Sequence, residues 1–381
     1  MYKIILGSYM FRYPLGGMNS WVLQYLLGIK DLGHDVYFVE KYGYANSCYD
    51  PMKDTMSSDC SYGLKIVSEL LERYGLKDKW CYVAEGEVYH GITKNKITEV
   101  FTSADLFIDM GCHGSWAEEA GRIPLQVLID GEPGYTHINM ANKVAAGIPL
   151  PKYDRYFTNG KNIGLPGNPA PTLSINWEHI YSPVKTELFT PFPAKTNAPY
   201  STVMNWRSHA AVRYNGKTYG QKDIEFKKFL PLPKLIKQPM EVAVSGKEVP
   251  VDLLKENNWL INDAKTLTLS FDSFRNYILY CRGEFSVCKN VFVENNTGWF
   301  SDKSAAYLAS GRPVVLQNTG FGSHLPVGEG LFAVSTVQEA KDAIENIEAN
   351  YRLHCNRARE IAFEYLEAKT VMKFFLNELG L

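Results

Sequence analysis

Residues 1–40 read MYKIILGSYMFRYPLGGMNSWVLQYLLGIKDLGHDVYFVE, and the fold class is decided there. Tyr2 to Leu6 is a short apolar run, the signature of a strand. Gly16-Gly17 opens a helix carrying Trp21, Leu23, Leu26 and Leu27, and Gly33 ends it. Gly33-His34-Asp35 then leads into a β-branched run over Val36 to Val39. Strand, helix and buried strand within forty residues make a βαβ unit, which predicts parallel strands in a doubly wound α/β sheet.

The pattern continues outward. Asp105-Leu-Phe-Ile-Asp109 and Leu125-Gln-Val-Leu-Ile129 are apolar runs that end in acidic, glycine-bearing segments, Asp109 to His113 and Asp130 to Gly134; Tyr156 to Gly160 is another strand end. In open parallel sheets ligands bind beyond the carboxyl ends of strands, so polar residues delivered there are candidates for a cleft. Between Ser182 and Tyr200 prolines accumulate and periodicity is lost, which marks a linker. Further strands are expected at Ser201 to Met204, Glu241 to Val244, Thr266 to Ser270, Asn290 to Val293 and Pro313 to Leu316, and helices from Val337 onward. The chain thus divides into Rossmann-like domains over 1–185 and 200–365, with 366–381 expected to cross back onto the first.

Composition agrees with two domains, because 381 residues exceed the roughly 250 to 300 that one core usually supports. Forty basic residues face 41 acidic ones, so no global field recruits nucleic acid or anionic membrane, and any phosphate binding must be local. The seven cysteines are odd in number and show no CxxC spacing, which argues against a disulfide framework or a zinc site. No basic leader precedes the first strand and no window reaches about 18 apolar residues. A cytoplasmic protein without a transmembrane span is expected.

Three places offer anion chemistry. The loop Gly7 to Met18 ends in Gly16 and Gly17 at a helix start, where amides and partial positive charge favour an anion; an ordinary glycine turn reads the same way. Arg207 follows a strand and Lys222 precedes a helix expected over Asp223 to Leu230; together they suit a diphosphate, against the alternative of two solvated cations. The segment from Cys281 to Leu316 reads strand, loop, helix, strand. There Ser301, Asp302, Lys303 and Ser304 open a helix, with Asp302 equally an N-cap, and Glu284 accepts from ribose or sugar hydroxyls. Gly320 and Phe321 lie on the following loop, and Trp206 and Phe321 are the aromatic candidates for stacking on a ligand. A general base must reach an acceptor hydroxyl, and His113, Asp130 and Glu132 follow strand ends on the acceptor side; His113 and Asp130 rank first and equally, with a loop contact and a turn cap as their competing roles.

On these residues the chain resembles GT-B glycosyltransferases, in particular the family 1/4-like group with a glycine pair in the first loop. The stretch Ala309-Ser-Gly-Arg-Pro-Val-Val315 is similar to that family's helix ending, and Gly16-Gly17, Gly33-His34, Arg207 with Lys222, and Thr319-Gly320-Phe321 fall in its order. The resemblance implies two Rossmann-like domains facing each other across a cleft. It implies transfer of a sugar from a nucleotide-sugar donor, a UDP-sugar first, held mainly by the C-terminal domain. The acceptor hydroxyl stays open: glycan, lipid, small molecule, protein, or modified nucleic acid such as a hydroxymethylated base in DNA. The chain departs from the family at Ala306, where an acidic residue is usual, and the family's Glu-x7-Glu spacing recurs only in shifted register at Glu294 and Asp302. The first loop also lacks the histidine of inverting members. No Asp-x-Asp triplet is present, so no metal and no cofactor is expected, the nucleotide-sugar being a substrate. A nucleotide-sugar epimerase, or an inactive nucleotide-sugar or glycan-binding protein, would keep the same fold.

Overall fold

The computed structural model describes residues 1–381. The first sheet has eight strands: β1 Lys3–Gly7, β2 Asp35–Lys41, β3 Trp80–Ala84, β4 Val88–Gly91, β5 Leu106–Asp109, β6 Leu125–Asp130, β7 Arg155–Thr158 and β8 Trp177–His179. Their spatial order is β8-β7-β6-β5-β1-β2-β3-β4, parallel except for β3 with β4. The second sheet holds β9 Tyr200–Asn205, β10 Met240–Ser245, β11 Leu260–Asp263, β12 Gly283–Ser286, β13 Val314–Gln317 and β14 Leu331–Val334. Its order, β11-β10-β9-β12-β13-β14, is parallel throughout. This is the Rossmann order, and both sheets reverse direction once, between β1 and β5 and between β9 and β12. Such reversals open a crevice at the carboxyl ends of the strands, and those ends carry the site.

The helices that frame the cleft are α1 Gly16–Asp31, α2 Tyr135–Ala145, α3 Lys222–Phe226, α4 Phe271–Tyr280, α5 Asn290–Glu294 and α6 Asp302–Ala309. A last helix, α7 Ala368–Glu378, lies on α1: a Cβ on Gly28 would stand 2.7 Å from the Ala368 carbonyl, so only glycine permits that approach. Val184 exchanges backbone hydrogen bonds with Leu366 and Ala368, and Phe375 meets Phe157 edge-on. No helix is long and apolar enough to cross a membrane.

Two expected strands are helices. In Thr266 to Ser270 the strand lies upstream, at β11, because Asp263 accepts the Lys265 amide at 2.9 Å and turns the chain into the short helix Ala264–Leu267. Asn290 to Val293 is β-branched and apolar, yet it forms α5. The Asn290 side chain accepts the Gly220 amide at 2.9 Å, and Val291 and Phe292 pack with Ile138, Val212 and Tyr219. Tertiary packing overrides strand propensity there. The helix expected over Asp223 to Leu230 begins at Lys222 and tightens into a 3-10 turn at Lys227–Phe229.

Candidate functional site

On the N-terminal side, three buried carboxylates at strand ends each tie down the loop that follows or faces them. Glu40, on β2, is fully buried and accepts the amides of Met10 and Phe11 at 2.7 Å and the amide and Nε of Arg12 at 3.0 Å. Asp109, ending β5, accepts the amides of Cys112, His113 and Gly114 and the Tyr153 hydroxyl. Asp130, ending β6, accepts the Glu132 amide at 2.9 Å and the Thr158 hydroxyl at 2.8 Å; His137 stands 3.8 Å away, held neutral by burial. These groups satisfy backbone donors that the turns would otherwise leave bare.

This changes the standing of Asp130 as a base. It is 4% exposed with both oxygens engaged, so the turn-capping role accounts for it. His113 stands exposed at φ +51°, with its amide on Asp109 and no hydrogen bond at its ring. Gly16 also has another explanation than an anion. Its amide donates to the Thr268 carbonyl at 2.6 Å, and a Cβ would meet the Ser270 carbonyl oxygen at 2.2 Å and Phe274 Cβ at 2.7 Å. Gly16 lets α1 dock against α4, while Gly17 stays in ordinary contact range of Phe274. Gly16→Ala is expected to destabilise the fold by about 2–3 kcal/mol, because the colliding atoms are main chain and Cβ and cannot rotate away. Urea unfolding at unchanged m-value measures this.

On the C-terminal side, lysines gather where the second sheet reverses. Lys222 opens α3, is half-buried, and has no hydrogen bond or carboxylate partner. Burial first, then Lys303 and Lys289, lower its pKa to about 8. Lys303, in the first turn of α6, is held by Glu284 and donates to Ser286 at 2.9 Å and Thr202 at 3.1 Å. Lys289 follows β12 and pairs with Glu132 of the opposite half at 2.5 Å. Ser301 precedes α6 with no side-chain cap, which leaves the first-turn amides open, and Asp302 sits beside them with its pKa raised by burial.

Around these cations lie buried polar atoms with no partner: Glu284 Oε2, Ser304 Oγ, and both Gln221 Oε1 and Nε2. Buried groups of this kind are ordinarily satisfied, and their gathering beside an unpaired ammonium fits a site shaped for a polar, anionic ligand. Arg207 stands apart from it: it is largely exposed, donates to Asp223 at 2.7 Å, and pairs with Glu248. Its charge is already answered by two carboxylates. Trp206 and Phe321, the stacking candidates, are core residues at 2% and 0% exposure, packed on Phe226 and Phe300. Gly320, at φ +92°, lies against Asn162 and Asn296.

Both halves meet over the cleft. Asn162 receives the His324 ring at 2.7 Å and donates to the Asn296 carbonyl, and Asn168 donates to Asn295. The His209 ring stacks on Tyr135 at 4.9 Å, its pKa lowered by burial and by Lys289. The Tyr9 phenol is pushed up by burial and by Glu132. Lys289, Gln221 and His209 were absent from the sequence expectation. Lys289 had a signal: it is the first charged residue past the buried strand β12.

No family model matches the chain, and no curated protein matches it. Solved structures do. An α-glucosyltransferase in complex with UDP and a 13-mer DNA superposes with a TM-score of 0.60 at 9% identity, covering 100% of this chain and 99% of that one. Alr3699/HepE of Anabaena, in complex with UDP-glucose, gives 0.59 at 12% identity with full coverage of both chains. Sucrose-phosphate synthase of Thermosynechococcus elongatus gives 0.54 at 12%, over 100% and 99%. At such low identity these likenesses establish the fold. This chain has the GT-B fold, two Rossmann-like domains facing across a cleft.

Proposed function

We propose that the protein is a glycosyltransferase that moves a hexose from a nucleoside-diphosphate sugar, a UDP-sugar first among them, to a hydroxyl acceptor without a divalent metal. The observation that carries this reading is Lys222, an ammonium without a partner, beside Lys289, Lys303 and the uncapped start of α6 at the reversal of a Rossmann sheet. A departing diphosphate gains negative charge in the transition state, and preorganised cations stabilise it there as a metal does elsewhere. Glu284 Oε2, Gln221 and Ser304 Oγ supply partners for ribose or sugar hydroxyls. Solved GT-B chains with UDP or UDP-glucose bound support the donor class. One of them holds DNA, which keeps a modified base among the acceptors. Against it stands the charge of residues 1–185, 20 acidic and 17 basic, a poor match for a polyanion. Seven free cysteines go with a reducing, cytoplasmic location.

The test is thermal stabilisation against UDP-, GDP-, TDP- and CMP-sugars, with and without EDTA. A ligand at ~100 times its dissociation constant adds about 2.7 kcal/mol. Selective stabilisation by a UDP-sugar, unchanged by EDTA, is expected. Stabilisation by none of the panel would overturn the reading, and strict dependence on Mg²⁺ would overturn its metal-free part.

A further inference from the structure

A second group of basic side chains gathers away from the lysines around Lys222. Lys161 follows β7 and His179 ends β8, both at carboxyl ends of the first sheet, while His324 closes the 3-10 turn Phe321–Ser323 of the opposite domain. Lys161 is half-buried, and its Nζ lies 4.5 Å over the Tyr181 ring with no hydrogen bond and no carboxylate partner. A ring face offsets only part of the hydration that a buried ammonium gives up.

The two histidines grip the loop that presents Lys161. His179 Nε2 donates to the Ile163 carbonyl at 2.8 Å, and His324 Nε2 donates to Asn162 Oδ1 at 2.7 Å. The Tyr181 hydroxyl donates to the His324 carbonyl at 2.9 Å, and Asn162 is tied to the carbonyls of Thr297 and Asn296. Rigid support of that kind fixes where the side chains stand. In both rings Nδ1 is left without a protein partner. Burial lowers the pKa of all three groups, and the charge of Lys161 lowers both histidines further. The carboxylate that acts on them, Glu178, is already paired with Arg155. The pKa of Lys222 responds instead to Lys303, Lys289 and Glu284, so the two cation groups are distinct.

We propose that Lys161, His179 and His324 bind a phosphate monoester between the two domains. Basic groups left unanswered in a half-buried place cost stability, and an anion removes that cost. The ammonium and the two Nδ1 atoms come from three separate chain segments, and a phosphate monoester presents three acceptor oxygens and nearly two charges to them. A carboxylate offers two oxygens in one plane and a single charge. Because each Nε2 keeps its proton against Ile163 or Asn162, Nδ1 donates only from the imidazolium, the form that a dianion stabilises. On the glycosyltransferase reading, on which this assignment of its role rests, the carboxyl ends of the first sheet serve the acceptor. The phosphate is then a handle on the acceptor or a free effector beside it.

Calorimetric titration with inorganic phosphate, in protein saturated with UDP so that the Lys222 group is occupied, tests the site. Wild type is expected to bind phosphate, and Lys161→Met to bind it at least about tenfold more weakly, the scale of a lost charge-assisted contact. Lys161→Arg, which keeps the charge, is expected to retain binding. His179→Gln and His324→Gln, each with a neutral amide in place of a ring that takes up a proton, are expected to weaken it severalfold. Lys161 makes no hydrogen bond, so Lys161→Met is expected to melt no lower than wild type, which separates lost binding from lost structure. Absence of phosphate binding by wild type, or binding that Lys161→Met leaves unchanged, overturns the proposal. If wild type fails to bind UDP while Lys161→Met still abolishes phosphate binding, the glycosyltransferase reading fails and the site stands; UDP binding without phosphate binding means the reverse. Release of UDP from UDP-glucose locates the phosphate. Acceleration by glucose 6-phosphate over glucose, reversed by inorganic phosphate, places it on the acceptor, and a change caused by inorganic phosphate alone makes it a free effector.

Discussion

Lys222→Ala is expected to weaken UDP-sugar binding about a hundredfold, the scale of losing a charge-assisted contact from a desolvated site. The larger signature is in the pH dependence. With its pKa at about 8, Lys222 is an ammonium below that pH and neutral above it in the free protein. The nucleotide-sugar diphosphate does not titrate in this range, and it favours the charged lysine. Binding above pH 8 therefore takes up a proton, and affinity is expected to fall about tenfold per pH unit there. Lys222→Arg, charged at every accessible pH, flattens the profile. Stability has the opposite sign. A lysine lowered from 10.5 to about 8 by folding costs stability while it is charged, and that cost fades as pH rises between those values. Lys222→Met is accordingly expected to melt higher than wild type at pH 7 while losing the donor. Calorimetric titration from pH 6.5 to 9.5, paired with melting curves, measures both.

Glu40→Ala is expected to be the most damaging single change to the N-terminal half, at about 3–5 kcal/mol. It strips three loop amides and the Arg12 guanidinium of one shared acceptor, and leaves Arg12 an unpaired cation at 13% side-chain exposure. Burial raises the Glu40 pKa, and Arg12 and the amides of residues 10–12 oppose that rise. Glu40→Gln keeps one carbonyl acceptor and is expected to lose less. Because the same loop carries Tyr9 to the cleft, donor affinity is expected to fall along with the urea midpoint. A protein that kept full stability after Glu40→Ala would contradict the assignment of Glu40 as the anchor of residues 10–12.

The structure redistributes the roles expected for particular residues. Lys222, Glu284, Asp302, Lys303 and Ser304 gather at one end of the second sheet, and all were legible as residues at strand or helix ends. Gly16 was equally legible, but a glycine at a helix start has one local signature whether it admits an anion or another helix. Its distinction lies in Ser270 and Phe274, more than 250 positions away. Arg207 carries no sign in its own neighbourhood of Glu248, which answers its charge from another loop.

Asp130 and Glu132 make the same point within three residues. Both end an acidic strand exit, yet one is a buried anchor and the other a cleft carboxylate. The choice is made by Thr158 on the neighbouring strand and by Lys289 on the opposite domain. Outside Thr266 to Ser270 and Asn290 to Val293, the alternation of strands and helices and the α/β class were legible in the residues alone, because the periodicities of 2 and 3.6 and the glycine stops act over a few residues. Which of the polar groups at the strand ends are spent on the fold and which are left for a ligand was decided only by the tertiary structure. Hydrogen bonds and ion pairs are satisfied by whatever the packing of distant segments brings within about 3 Å.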